Sequence, residues 1–290
     1  MRTWALVPTL CLLVAAPAAQ APPAQAPPAP DPIQRVFSRL YNYDFAGAHV
    51  LLDAQRQADP NNPLVYSVRG LAYLFAELDR LKILETEFFL QDDNLADGHG
   101  RDLQPDPVLR RKLFESLDQA KAKALARLAT HPNDRDALFA MCMVSGVTAD
   151  YTGFVDRRQW RGLMLSKETT RYAAKLLALQ PPLYDAYYNV GALEYVVGSL
   201  PFFVRWFVRL DHVQGDKRKG IEAMKLVARH GRYYGPFARV MLAVASLREG
   251  KLEDARILLA GVAAEYPANP LARRELRLVT DRINAQARRR

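Results

Sequence analysis

The side chains able to do chemistry are spread through this sequence in patterns that argue for binding rather than catalysis. Five histidines, His49, His99, His131, His212 and His230, lie too far apart for a metal-ligand or acid–base pair within one element. Cys142 sits in the apolar run 138–144, where a thiol packs as a small hydrophobe rather than serving as a nucleophile. No GxSxG, HExxH, phosphate-loop or CxxC pattern occurs. The acidic stretch 91–106 offers Asp92, Asp93, Asp97 and Asp102, but Leu95 stands where a calcium loop needs an oxygen, and the downstream glutamate is missing. It reads as a solvated insertion. We expect no catalytic residue, no metal and no cofactor.

Two groups of side chains suit a partner instead. Tyr184, Tyr187, Tyr188 and Tyr195 fall on one predicted helix, and Tyr188 and Tyr195, seven apart, share a face. Tyrosine joins apolar contact to a hydroxyl, which fits a concave peptide groove as well as ordinary helix packing. Residues 200–210, LPFFVRWFVRL, place Phe202, Phe203, Trp206, Phe207 and Leu210 on a wide apolar face, with Arg205 and Arg209 four apart on one side. Such a helix rests in a lipid interface or lies between helix layers with its arginines reaching outward. At ~1.5 Å per residue it is too short to span a bilayer. Tyr188, Tyr195, Arg205 and Trp206 are the candidate partner-binding residues.

The elements that must position these groups are helices. Half of the 290 residues are hydrophobic, glycine is sparse at 15, and long β-branched runs of period two are absent. The first 19 residues read as a secretory signal: Arg2, an apolar run from Trp4 to Ala16, then small residues. An uncleaved membrane anchor is the alternative. Residues 20–32 form a Pro/Ala-rich, polyproline-like linker, so a folded domain is expected over 33–290. With the signal removed Cys142 stands alone, and no internal disulfide is possible. The net charge of +9 suits acidic partners or anionic lipid. Nucleic acid is set aside because the chain is expected to be exported.

The clearest repeat lies near the C-terminus. An apolar helix over 236–247 is followed by the polar turn 248–251 and a second helix over 252–266 that Pro267 and Pro270 stop. Gly250, Ala255, Leu259 and Pro267 stand at the spacing of a tetratricopeptide repeat, which this segment resembles. Ala48, Leu52 and Pro60 keep the same four- and eight-residue steps, Gly70 and Tyr73 match the first helix, and Ala120 precedes Pro132 as Ala255 precedes Pro267. The stops at Pro60, Pro132, Pro181 and Pro267 are 72, 49 and 86 residues apart, not multiples of a ~34-residue unit, so insertions or longer helices intervene. A shorter stretch, about 190–231 with Gly198-Ser199-Leu200-Pro201 and Gly215-Asp216, is similar to tetratricopeptide proteins related to the inclusion-body clearance protein.

The resemblance implies an all-α, right-handed α-α solenoid of about five helix pairs, with irregular insertions and a capping helix from about 271 to 286. It implies a non-catalytic scaffold that holds a protein or peptide; the signal-like first 19 residues make it periplasmic or secreted, and no small-molecule substrate is evident. The alternative is a membrane-peripheral assembly factor using residues 200–210.

Overall fold

Helix boundaries fall where capping chemistry puts them. The structure, a computed structural model, describes residues 31–90, 103–199 and 215–289. Helix α1 (Pro32–Tyr41) opens on a capping box: Asp31 accepts from the Gln34 N–H at 2.9 Å, and the Gln34 side chain accepts from the Asp31 N–H at 3.0 Å. Asp31 and Pro32, expected to close the linker, therefore open the folded unit. An Asx cap with proline at the first helical position also starts α3 (Pro63–Arg80), α5 (Pro107–Thr130) and α12 (Pro270–Ala287). Asp44, Asp134 and Asp216 cap α2 (Phe45–Ala58), α6 (Arg135–Asp150) and α9 (Lys217–His230). The remaining helices are α4 (Thr86–Leu90), α7 (Gln159–Ala178), α8 (Ala186–Ser199), α10 (Gly235–Arg248) and α11 (Leu252–Glu265). The described residues hold these twelve α-helices and no strand. The protein is all-α.

Each helix packs chiefly on its neighbours in sequence, giving the consecutive pairs α1–α2, α3–α5, α6–α7, α8–α9 and α10–α11, with α12 last. The punctuation read from the sequence marks the pairs. Ala48, Leu52, Ala120, Ala255 and Leu259 are all buried at helix contacts, and α2, α5, α7 and α11 end just before Pro60, Pro132, Pro181 and Pro267. Gly250, at φ +71°, makes the left-handed step between α10 and α11. The uneven spacing has two visible sources. α5 and α7 run 24 and 20 residues against 14 for α2 and α11, and α4 with its flanks is inserted between α3 and α5.

Within pairs, glycine sets how closely helices approach. A Cβ on Gly220 of α9 would fall 2.5 Å from the Tyr195 nitrogen and 2.7 Å from the Gly191 oxygen of α8. A Cβ on Gly162 of α7 would fall 2.8 Å from the Ala149 oxygen. There α6 continues into a π-helical turn, Tyr151–Val155, so the backbone bulges where α7 presses on it.

The stack closes on itself. The Tyr41 hydroxyl donates to the Tyr233 carbonyl at 2.9 Å, and the Asn269 amide donates to the Tyr41 carbonyl at 2.8 Å. The Ala268 N–H reaches Asn42 Oδ1 at 3.1 Å, and Arg232 pairs with Asp31. The Phe37 ring stacks on Tyr233 at 5.2 Å, and Phe75 stacks on Phe237 at 5.6 Å. One hydrophobic core consequently extends from Ile33 to Ala238, and a smaller one joins Ala243, Leu247, Ala255, Leu259 and Val279. Among the described residues one stretch, Arg135–Val155, is long and apolar enough to cross a membrane; most of it is buried inside the protein.

Candidate functional site

Closing the stack leaves a cleft where its first and last elements meet. About 70 Å³ is enclosed, open on one side, between Leu40, Phe75 and Leu84 from the N-terminal pairs and Pro236, Phe237, Val240, Val262 and Leu271 from α10 to α12. Two backbone features shape it. Tyr43 adopts φ +63° in the turn from α1 to α2, with its ring 5.6 Å from Phe45, and Lys82 at φ +60° redirects the chain from α3 towards α4. Burial pushes the Tyr43 hydroxyl pKa far above its ordinary range, so it stays neutral.

One end of the cleft is polar. Thr86 donates to Glu275, which is 3% exposed. Arg274 donates to Glu275 Oε1 and to Glu85 Oε1, each at 2.9 Å. The Arg274 pairings hold its pKa above the ordinary value, with the Glu85 hydrogen bond the largest contribution. Glu275 is thus a satisfied carboxylate at the floor of an apolar slot. The lining is otherwise almost wholly apolar, with Thr86, Glu275 and Asn269 its polar side chains besides two tyrosine hydroxyls.

A second group lies on the inner faces of α6, α8 and α10. Tyr188 packs against Phe237 at 5.1 Å and Tyr234 at 5.4 Å. Asp150 feels both tyrosines electrostatically, and among the described residues nothing donates a hydrogen bond to it. Burial alone pushes its pKa up to about 7. The carboxyl keeps slight access to solvent, so it occupies an enclosed position that water still reaches. Asp185 shows the opposite solution. It is fully buried, with burial raising its pKa. Yet it accepts from the Arg232, Tyr233 and Tyr234 N–H groups at 2.8, 2.8 and 2.6 Å, fixing the α9–α10 turn.

The sequence-predicted site residues fare differently. Tyr188 and Tyr195, seven residues apart on α8, are covered by α9 and α10. Tyr195 is 5% exposed among Met224, Leu242 and Ala245, so the expected partner groove is closed by packing there. Tyr188 lines the interior rather than a free surface. Tyr184 precedes α8, stacking on Tyr187 at 6.3 Å and lying 5.0 Å from His230. Arg205, Trp206 and all of 200–210 lie outside the described residues, as do the signal and linker to residue 30, His99, His212 and the acidic loop over 91–102.

Cys142 is buried and free, donating weakly to the Thr169 carbonyl at 3.9 Å, and burial pushes its thiol pKa far up. His49 packs 4.4 Å from Tyr73 and has a lowered pKa, chiefly from burial. No group of three metal-ligating side chains gathers among the described residues. The cleft and Asp150 were missed by sequence reasoning. Asp150 carried one signal: a lone carboxylate ending an apolar helical run.

Together the fold and cleft define an all-α protein of consecutive helix pairs closed end to end. No family model, characterised protein or solved structure matches the chain.

Proposed function

We propose that this chain is an exported, non-catalytic scaffold of the tetratricopeptide-repeat class, wound as a right-handed solenoid, that holds a protein or peptide partner. The observation carrying this reading is the closure cleft: an apolar slot, open to solvent, built from both ends of the stack. A partner segment inserts one aliphatic or aromatic anchor between Phe75, Phe237 and Val262, and its polar atoms meet Thr86 and Glu275. The consecutive helix pairs support the repeat assignment, as does burial of alanine and leucine at matching positions. The apolar leader in the sequence supports export to the periplasm or medium.

The test is a crosslinking pull-down from the exported fraction, comparing the parent with Val240→Trp, which fills the cleft. The scaffold reading expects specific partners with the parent and their loss with the variant. Recovery of the same partners by both proteins would remove the cleft as the binding site.

A further inference from the structure

A different surface lies where α7 begins, α8 ends and α9 begins. These termini are side by side: a Cβ on Gly198 would meet the Lys217 nitrogen at 2.3 Å, and Val197 packs with Leu163 and Met164 of α7. Two large apolar side chains are open here, Trp160 at 39% and Val196 at 44% exposure. Arg158, Arg161, Arg218 and Lys219 are exposed on the same termini. The nearby carboxylates already hold partners. Asp216 accepts from the Arg218 and Lys219 N–H groups at 2.9 and 3.3 Å. Glu194 accepts from the Asp216 N–H at 2.6 Å, and Asp156 lies 3.9 Å from Arg110.

We infer that this end docks on an anionic lipid surface, with Trp160 and Val196 entering the interface and Arg158, Arg161, Arg218 and Lys219 meeting lipid phosphates. Tryptophan beside an aliphatic residue suits the headgroup boundary, where an indole gains both apolar and polar contact. A ring of cations alone would serve any polyanion; apolar side chains among them favour lipid. Each cation near an anionic leaflet strengthens binding about fivefold, the equivalent of about 1 kcal/mol. None of these residues lines the closure cleft, so this inference stands or falls separately from the scaffold reading.

The test is flotation of residues 31–290, a compact unit with its own core, with phosphatidylcholine vesicles lacking or containing phosphatidylglycerol. The parent floats only with the anionic vesicles, and salt weakens the binding. Arg158→Gln and Arg218→Gln each lower it about fivefold, and Trp160→Ala lowers it further. Val240→Trp floats as the parent does. All are surface or cleft changes, and far-UV circular dichroism checks that the fold is kept. A parent that stays down with anionic vesicles overturns the inference. So does a triple variant at positions 158, 160 and 218 that floats like the parent, because another surface then holds the lipid. Binding that needs the arginines but not Trp160 marks a general polyanion surface and overturns it as well.

Discussion

The side-chain amide of Asn269 donates to the carbonyl of Tyr41 at 2.8 Å, tying the turn before the last helix to the end of the first. The same side chain accepts from the Ala272 N–H at 2.8 Å and so caps α12. One residue thus starts the terminal helix and fastens it across the stack. The cleft exists because this join, the Tyr41–Tyr233 bond and the Glu85–Arg274 pair hold the two ends together.

Asn269→Ala removes both bonds. The lost cap costs about 1 kcal/mol and the unpaired Tyr41 carbonyl about as much again, so urea unfolding is expected to show a loss of about 2 kcal/mol. Asn269→Asp keeps the cap but sets a carboxylate against a carbonyl, and it is expected to recover only part of that loss. Full recovery by aspartate would show that the bond to Tyr41 contributes nothing.

Gly220→Ala improves helix propensity by about 1 kcal/mol in isolation. Here the new methyl meets backbone atoms of α8 at 2.5 and 2.7 Å, which cannot rotate away. The variant is expected to lose about 2 kcal/mol overall as α8 and α9 separate. A neutral or stabilising effect would mean that the pair is looser than this geometry.

Asp150 titrates at about 7 in the folded protein against 3.8 for an ordinary aspartate. Between these values the folded carboxyl holds a proton that the unfolded chain has lost. Its contribution is therefore most favourable below about pH 4 and declines as pH rises to about 7. The unscreened loss is about 4 kcal/mol, and about half of that is expected because water still reaches the group. Asp150→Asn should match the parent near pH 4 and exceed it by about 2 kcal/mol at pH 8, read from urea midpoints across that range. A constant difference at every pH would place the carboxyl in ordinary solvent.

Asp185→Ala strands three N–H groups of the α9–α10 turn, and a loss of roughly 3 kcal/mol or more is expected. Tyr233 and Tyr234 follow that turn into the core, so their near-ultraviolet dichroism should weaken at temperatures below the main transition. An unchanged signal would show that the turn holds its shape without the aspartate.

Much of the helical framework was legible because capping and proline chemistry act locally. The α10–α11 pair was bounded within about two residues by Gly250, Pro267 and the spacing of Ala255 and Leu259. Tyr188 and Tyr195 both fall on α8, as the sequence pattern expects a helix there. What covers them depends on α9 and α10, which no local pattern near residue 190 encodes. Closure was hidden for the same reason: Asn269 and Tyr41 are 228 residues apart, and each looks like an ordinary cap or aromatic in its own window. The π turn after α6 was missed because Gly153 widens it to meet Gly162, a contact between two helices.

The central claim, that the two ends of the stack meet, is tested most directly by a double variant, Asn42→Cys with Ala268→Cys, in residues 31–290. Asn42 Oδ1 and the Ala268 nitrogen are 3.1 Å apart, and the native Cys142 is buried away from both. A short thiol-to-thiol crosslinker is expected to join positions 42 and 268 within one molecule, found by peptide mapping. Two thiols that stay free in the folded monomer, or pair only between molecules, would contradict the closed arrangement and the cleft it creates.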